Sequence, residues 1–241
     1  RFNATDNNIA MSLYNKGLDT DGNDSSLYSG LADTYTQGYF QFGRNEDWLK
    51  EAISNALHSI EIGPEQAWGY NSLGFAQHIN GRYAESKIAY KKSRKLAPNW
   101  GTTLAYNALV HLESGQLILA YKKAIKAVEK DFNNPITNAI LGLCYKELRM
   151  TILANKTLDK SLAIKADYSI AQNYRAELFL SMADFEQTKT LLQHSLSQSP
   201  NNQYSLWIKA LLYLQTDNIT AAAESFEQAA KISGRHQLPA Q

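Results

Sequence analysis

Cysteine occurs once in the 241 residues, at Cys144, so the chain can build neither an internal disulfide framework nor a cysteine-based zinc site. A disulfide-free protein can live on either side of a membrane, and this absence leaves the compartment open. No apolar run approaches the roughly 20 residues that a membrane-spanning helix needs, and no export signal is evident. Strand-like runs are missing, as is a Gly-rich phosphate loop following one. His58, His78, His111, His194 and His236 form no H-x-x-x-H pair, and two histidines from neighbouring segments, His78 and His111, make a poor metal site by themselves. No nucleophile stands at a telling distance from a base, so the sequence supports neither catalysis nor a bound cofactor or metal.

A large charge of either sign is also lacking, the formal net charge being +1, but the charges are unevenly spread. Residues 1–66 carry 4 basic and 10 acidic side chains, residues 67–168 carry 15 and 7, and residues 169–241 carry 5 and 6. An acidic head therefore precedes a basic middle. With 44% apolar residues the chain can bury a substantial core. It begins at Arg1 and reads as a piece of a longer protein.

What the chain has in abundance is repetition. The stretch YNSLGFAQHINGRYAES, residues 70–86, returns when the sequence is shifted by about 34 residues. Five ungapped units follow, 67–100, 101–134, 135–168, 169–202 and 203–236, each with two amphipathic segments around a short break. The breaks fall at Asn80-Gly81, Ser114-Gly115, Arg149-Met150, Ala183-Asp184 and Asp217-Asn218. First segments carry a large residue followed by a small one, as in Tyr70/Leu73/Gly74, Leu104/Ala108, Leu141/Gly142 and Leu206/Ala210, and second segments a step such as Ser86/Tyr90, Ala154/Leu158 or Ala222/Phe226. Small residues let paired helices approach, and the large ones fill the gap beside them. Pro98 and Pro200 stand where a helix should stop and Pro135 where one should begin.

Upstream, Tyr28/Leu31/Ala32/Tyr35 and Ala52/Ala56/Pro64 outline a further pair with about eight extra residues between its halves. This makes 25–66 an enlarged repeat with a longer, aromatic-rich turn. Ala10, Tyr14 and Gly17 mark 7–24 as a half repeat, and 237–241 is a tail. Asp19 to Asp24 is similar to a calcium loop but lacks its terminal Glu and is better read as a polar turn between repeats.

YNSLGFAQ and LGLCY are the segments that most closely resemble the tetratricopeptide repeat, which pairs an aromatic residue, Leu-Gly and Tyr on one helix with Ala, an aromatic residue and Pro on the next. Units 101–134 and 169–202 depart from it, with Asn107 and Arg175 where the family usually has Leu. The resemblance implies one all-α array across 1–241, a right-handed superhelical solenoid of antiparallel helix pairs with an extended concave surface. It further implies that first helices line that surface and bind a protein or peptide segment.

Carried onto this sequence, the inner faces nominate Trp68, Asn71, Phe75, His78, Glu113 and Leu143, then Lys146, Glu147, Asn173, Glu177, Tyr204, Trp207 and Leu211. Aromatic anchors and an acidic rim of Glu113, Glu147 and Glu177 would meet the partner. The carboxylate clamp of some members is not expected, because Ser29/Asp33 and Asn71/Phe75 occupy its first positions. Lys91, Lys92, Arg94, Lys95, Lys122, Lys123, Lys126 and Lys130 fall on outer helices, where a solvated convex face is the ordinary reading and nucleic acid the less favoured one.

Segment 25–66 is also similar to repeat regions appended to bacterial signalling proteins, including membrane-tethered winged-helix regulators, adenylate cyclases and Ser/Thr kinases. That resemblance implies a sensory or regulatory appendage, with a periplasmic lean and a tether elsewhere in the parent protein. The alternative is a structural scaffold of an envelope or secretion complex, or a self-associating array, since 203–236 ends at Gly234 with no evident polar cap.

Overall fold

The computed structural model describes residues 4–42 and 46–232, and among them every regular element is α-helical. The helices are α1 (Ala4–Thr20), α2 (Ser25–Phe42), α3 (Glu46–Ile62), α4 (Ala67–Ile79), α5 (Tyr83–Leu96), α6 (Gly101–Glu113) and α7 (Leu117–Lys130). They continue as α8 (Pro135–Glu147), α9 (Thr151–Ile164), α10 (Ser169–Ser181), α11 (Phe185–Gln198), α12 (Gln203–Gln215) and α13 (Ile219–Ile232). Gly234 and the tail 237–241 lie outside the described residues. No described helix is long and apolar enough to cross a membrane.

Each helix packs on its successor, and the even-numbered helices from α2 to α12 also pack on one another in series. Two rows result, an inner one (α2, α4, α6, α8, α10, α12) and an outer one, which is the layout of a superhelical solenoid. The pairs close because a small residue on the inner helix meets a large one on the outer. A Cβ placed on Gly74 would stand 2.7 Å from the ring of Tyr90, and one on Gly142 2.7 Å from Leu158 Cγ. Tyr90 and Leu158 are fully buried, each contributing about 1.5–3 kcal/mol by transfer from water.

The turn inside each of the five pairs from α4/α5 to α12/α13 has one geometry. Gly81, Gly115, Arg149, Ala183 and Asp217 take positive φ values of 75°, 74°, 60°, 58° and 57°. The residue after each donates its N–H back to a carbonyl five positions earlier, Arg82 to Gln77, Gln116 to His111, Met150 to Tyr145, Asp184 to Phe179 and Asn218 to Tyr213. This left-handed helix stop suits glycine, so three of the five turns hold an L side chain where one is disfavoured.

Between repeats, Asn134 accepts the N–H of Ile136 ahead of Pro135 at the first position of α8, and Asn202 accepts the N–H of Ser205 at 3.0 Å. The polar turn before α2 works the same way: Asp24 accepts the N–H and hydroxyl of Ser26, which holds its carboxyl below the ordinary value.

The enlarged repeat differs from the longer turn expected of it. α2 has 18 residues and α3 has 17, against 13 in α4 and 14 in α5, so the eight additional residues are helical. The reason is packing: Gly38 lies directly against the indole of Trp48, and the Tyr39 hydroxyl donates to Glu46 at 3.2 Å, so the extended ends support each other.

Candidate binding groove

The inner helices enclose a continuous cavity of about 1200 Å³ that runs from α2 to α13. Its walls are mainly apolar and aromatic. Phe75 stacks on Tyr106 with ring centres 4.9 Å apart, and Tyr204 stacks on Trp207 at 6.0 Å while meeting Tyr174 edge-on at 6.1 Å. Leu109, Leu112, Ile136 and Leu143 complete the floor between these two aromatic ends.

Polar side chains cross this wall in two ties between helices. Lys146 Nζ on α8 lies 2.8 Å from Glu147 and 2.7 Å from Glu177 on α10, and the Tyr204 hydroxyl of α12 donates to the same Glu177 carboxylate. Burial first, then the neighbouring Glu177 carboxylate, holds the Tyr204 phenol far above its ordinary value, so it stays a donor. His78 Nε2 on α4 sits 2.9 Å from Glu113 on α6, which also accepts from the Tyr83 hydroxyl. The His78 ring is buried, and its Nδ1 has no hydrogen-bond partner among the described residues. Burial first, then Glu147, pushes the Cys144 thiol up to about 12, which leaves it an inert packing group.

A family model for the tetratricopeptide repeat matches residues 204–236. No curated protein matches the chain. Among solved structures, that of the APC/C hetero-tetramer Cut9-Hcn1 superposes with a TM-score of 0.74 at 14% identity, over 96% of this chain and 44% of the other. IFIT1 with m7Gppp-AAAA gives 0.76 at 15%, over 95% and 55%. A tetratricopeptide repeat protein from Parabacteroides merdae ATCC 43184 gives 0.63 at 13%, over 95% and 87%. The chain folds as a tetratricopeptide-repeat array. It spans about half the length of the first two of these structures, 44% and 55%.

Within the array, ten of the thirteen side chains nominated from sequence line one cavity: Phe75, His78, Glu113, Leu143 and Lys146, together with Glu147, Asn173, Glu177, Tyr204 and Trp207. Three stand apart from it. Asn71 is buried and accepts a hydrogen bond from Thr103 at 2.9 Å, and Leu211 packs into the cluster of Ala176, Leu192 and Ile208. Trp68 donates its indole N–H to Ser25 across the preceding helix pair. Asn173 belongs to the same pattern as Asn71, accepting from Ser205 at 2.9 Å three repeats later, so its amide is largely committed to joining repeats. Of the acidic rim, Glu147 and Glu177 share Lys146 and Glu113 holds His78, so the rim is partly satisfied from within.

Several wall residues escaped the sequence reading. Tyr106 and Tyr174 occupy the same inner-helix register two repeats apart, and that shared register was the available signal. Gln37 stands at the inner-helix register of Ile79, whereas Phe40 and Gln41 reach the wall only because α2 is longer than its counterparts, and Phe226, Ala229 and Ala230 come from the outer helix α13. Neither of these last two groups could be found from inner-helix positions.

Proposed function

We propose that the chain is a non-catalytic recognition module that takes an extended polypeptide segment into this groove. The observation that carries the reading is the exposed indole of Trp207, 39% accessible and held flat against Tyr204 at one end of an aromatic wall whose other rings are buried or half-buried. Aromatic side chains fixed in this way bury much area on binding at little entropic cost. Proteins of this repeat class act generally as interaction modules. Cut9 is seen with Hcn1 and IFIT1 with m7Gppp-AAAA, so the fold alone leaves the ligand open.

Charge favours a polypeptide. Three carboxylates, Glu113, Glu147 and Glu177, face the cavity against the two lysines Lys146 and Lys165, and a nucleic acid backbone would meet net negative charge there. The placement of the module as a regulatory appendage of a larger protein rests on the resemblance of 25–66 alone.

The test is selection of displayed random peptides on the purified chain, followed by fluorescence anisotropy of the selected peptides. Trp207→Ala is expected to weaken them by about 1–2.5 kcal/mol with the fold intact. Peptides that bind Trp207→Ala as tightly as the parent would place recognition elsewhere on the array.

A further inference from the structure

On the side of α6 away from the groove, between the outer helices α5 and α7, lies a second hollow of about 180 Å³. Lys87, Lys91 and Arg94 line it from one face of α5, Asn107 and His111 from α6, and Lys123 from α7, with no carboxylate among them. None of the four cations pairs with a carboxylate among the described residues. Burial first, then Arg94 and Lys126, lowers the Lys123 ammonium from its ordinary value, which is the signature of cations held together without a counter-charge.

Asn107 is the second, independent observation. It stands where the repeat usually carries Leu, is 8% exposed, and has no hydrogen-bond partner for its side chain among the described residues. Neither atom of that amide is sealed from solvent, so the group opens onto the hollow that Asn107 lines. The polar ends of the neighbours are directed to one another: Gln116 Oε1 accepts from Lys87 at 3.4 Å and contacts His111 Nδ1, leaving the Asn107 amide to the hollow.

We propose that this hollow binds a phosphoryl dianion, as inorganic phosphate or pyrophosphate or as the terminal group of a phosphomonoester. The Asn107 amide would donate from the floor, Arg94 would offer its planar fork, and Lys87, Lys91 and Lys123 would supply point charges around the remaining oxygens. The volume equals about six waters, enough for one or two phosphoryl groups and too small for a polymer backbone to enter.

The test is isothermal titration of the full chain at low ionic strength with pyrophosphate, with phosphoserine and with a single-stranded oligonucleotide. One saturable site for pyrophosphate or phosphoserine is expected, the tighter of the two assigning the group to a free phosphate or to a modified side chain. Lys123→Gln and the exposed Arg94→Gln should each weaken it about tenfold and Asn107→Leu about fivefold, with circular dichroism unchanged. Lys95→Gln removes the same charge from α5 outside the hollow and should change binding less than about twofold. Absence of a saturable site, equal losses for Lys95→Gln and Lys123→Gln, or tighter binding of the oligonucleotide than of pyrophosphate would overturn the assignment.

Discussion

Trp207→Ala and Phe75→Ala, two truncations of groove aromatics, should have opposite consequences. Trp207 is 39% exposed, and a tryptophan offers about 250 Å² in all, so about 100 Å² remains for a partner to cover. At about 25 cal/mol per Å² this is worth up to about 2.5 kcal/mol of binding. The remainder, about 150 Å², is buried against the fold, so although its removal opens no closed cavity the folded state should lose about 1–3 kcal/mol. Phe75 is 8% exposed and stacked on Tyr106, so it retains under about 0.5 kcal/mol to give a partner. Truncating it empties space beside Tyr90 and Tyr106 and should cost about 3–5 kcal/mol of stability. Urea unfolding of both variants, with anisotropy of a selected peptide below the transition, separates the two effects. If Phe75→Ala melted like the parent and weakened binding, or Trp207→Ala unfolded readily and bound normally, the assignment of one to recognition and the other to the core would fail.

Three further outcomes follow from the packing. Burial pushes the Asp33 carboxyl up to about 6, against an opposing effect of the Ser72 hydroxyl, and its Oδ1 has no partner among the described residues. The folded chain therefore keeps a proton that the unfolded chain releases near 3.8, and stability should fall by up to about 3 kcal/mol as pH rises from about 4 to about 6. Asp33→Asn should flatten that slope and be the more stable protein at pH 7; identical pH profiles would show that the carboxyl is not desolvated. Gly74→Ala places a Cβ 2.7 Å from the Tyr90 ring, and overpacking of about 1–3 kcal/mol should outweigh the roughly 1 kcal/mol gained in helix propensity, so a raised melting temperature would contradict the close crossing. Ala183→Gly relieves a φ of 58° and should stabilise by about 1 kcal/mol, whereas a loss in chemical denaturation would mean the turn is unstrained.

Helix pairing and its period were legible because they depend on local spacing. The small residues Gly74 and Gly142, the prolines 98, 135 and 200, and the five turn positions each act within one repeat, and a repeated error would have been visible as a lost register. The groove was legible in part for the same reason, since a fixed register on the inner helix mostly faces inward. What the residue pattern could not supply was the use of each side chain once repeats met. Asn71 and Asn173 had the inward register but are consumed by Thr103 and Ser205, and Leu211 by its neighbours in the core.

The eight additional residues of 25–66 could be counted in the sequence, but whether they looped or extended two helices depended on Gly38 meeting Trp48 across the pair. Likewise the composition showed a basic middle, while only the packing of α5, α6 and α7 turned part of it into a hollow around an unpaired amide. By itself the sequence determined the helices, turns and order of the five regular repeats, because those are set by contacts within about 34 residues. Tertiary structure alone decided which inward side chains remain free for a partner, because burial and hydrogen bonding between successive repeats are settled only when the stack closes.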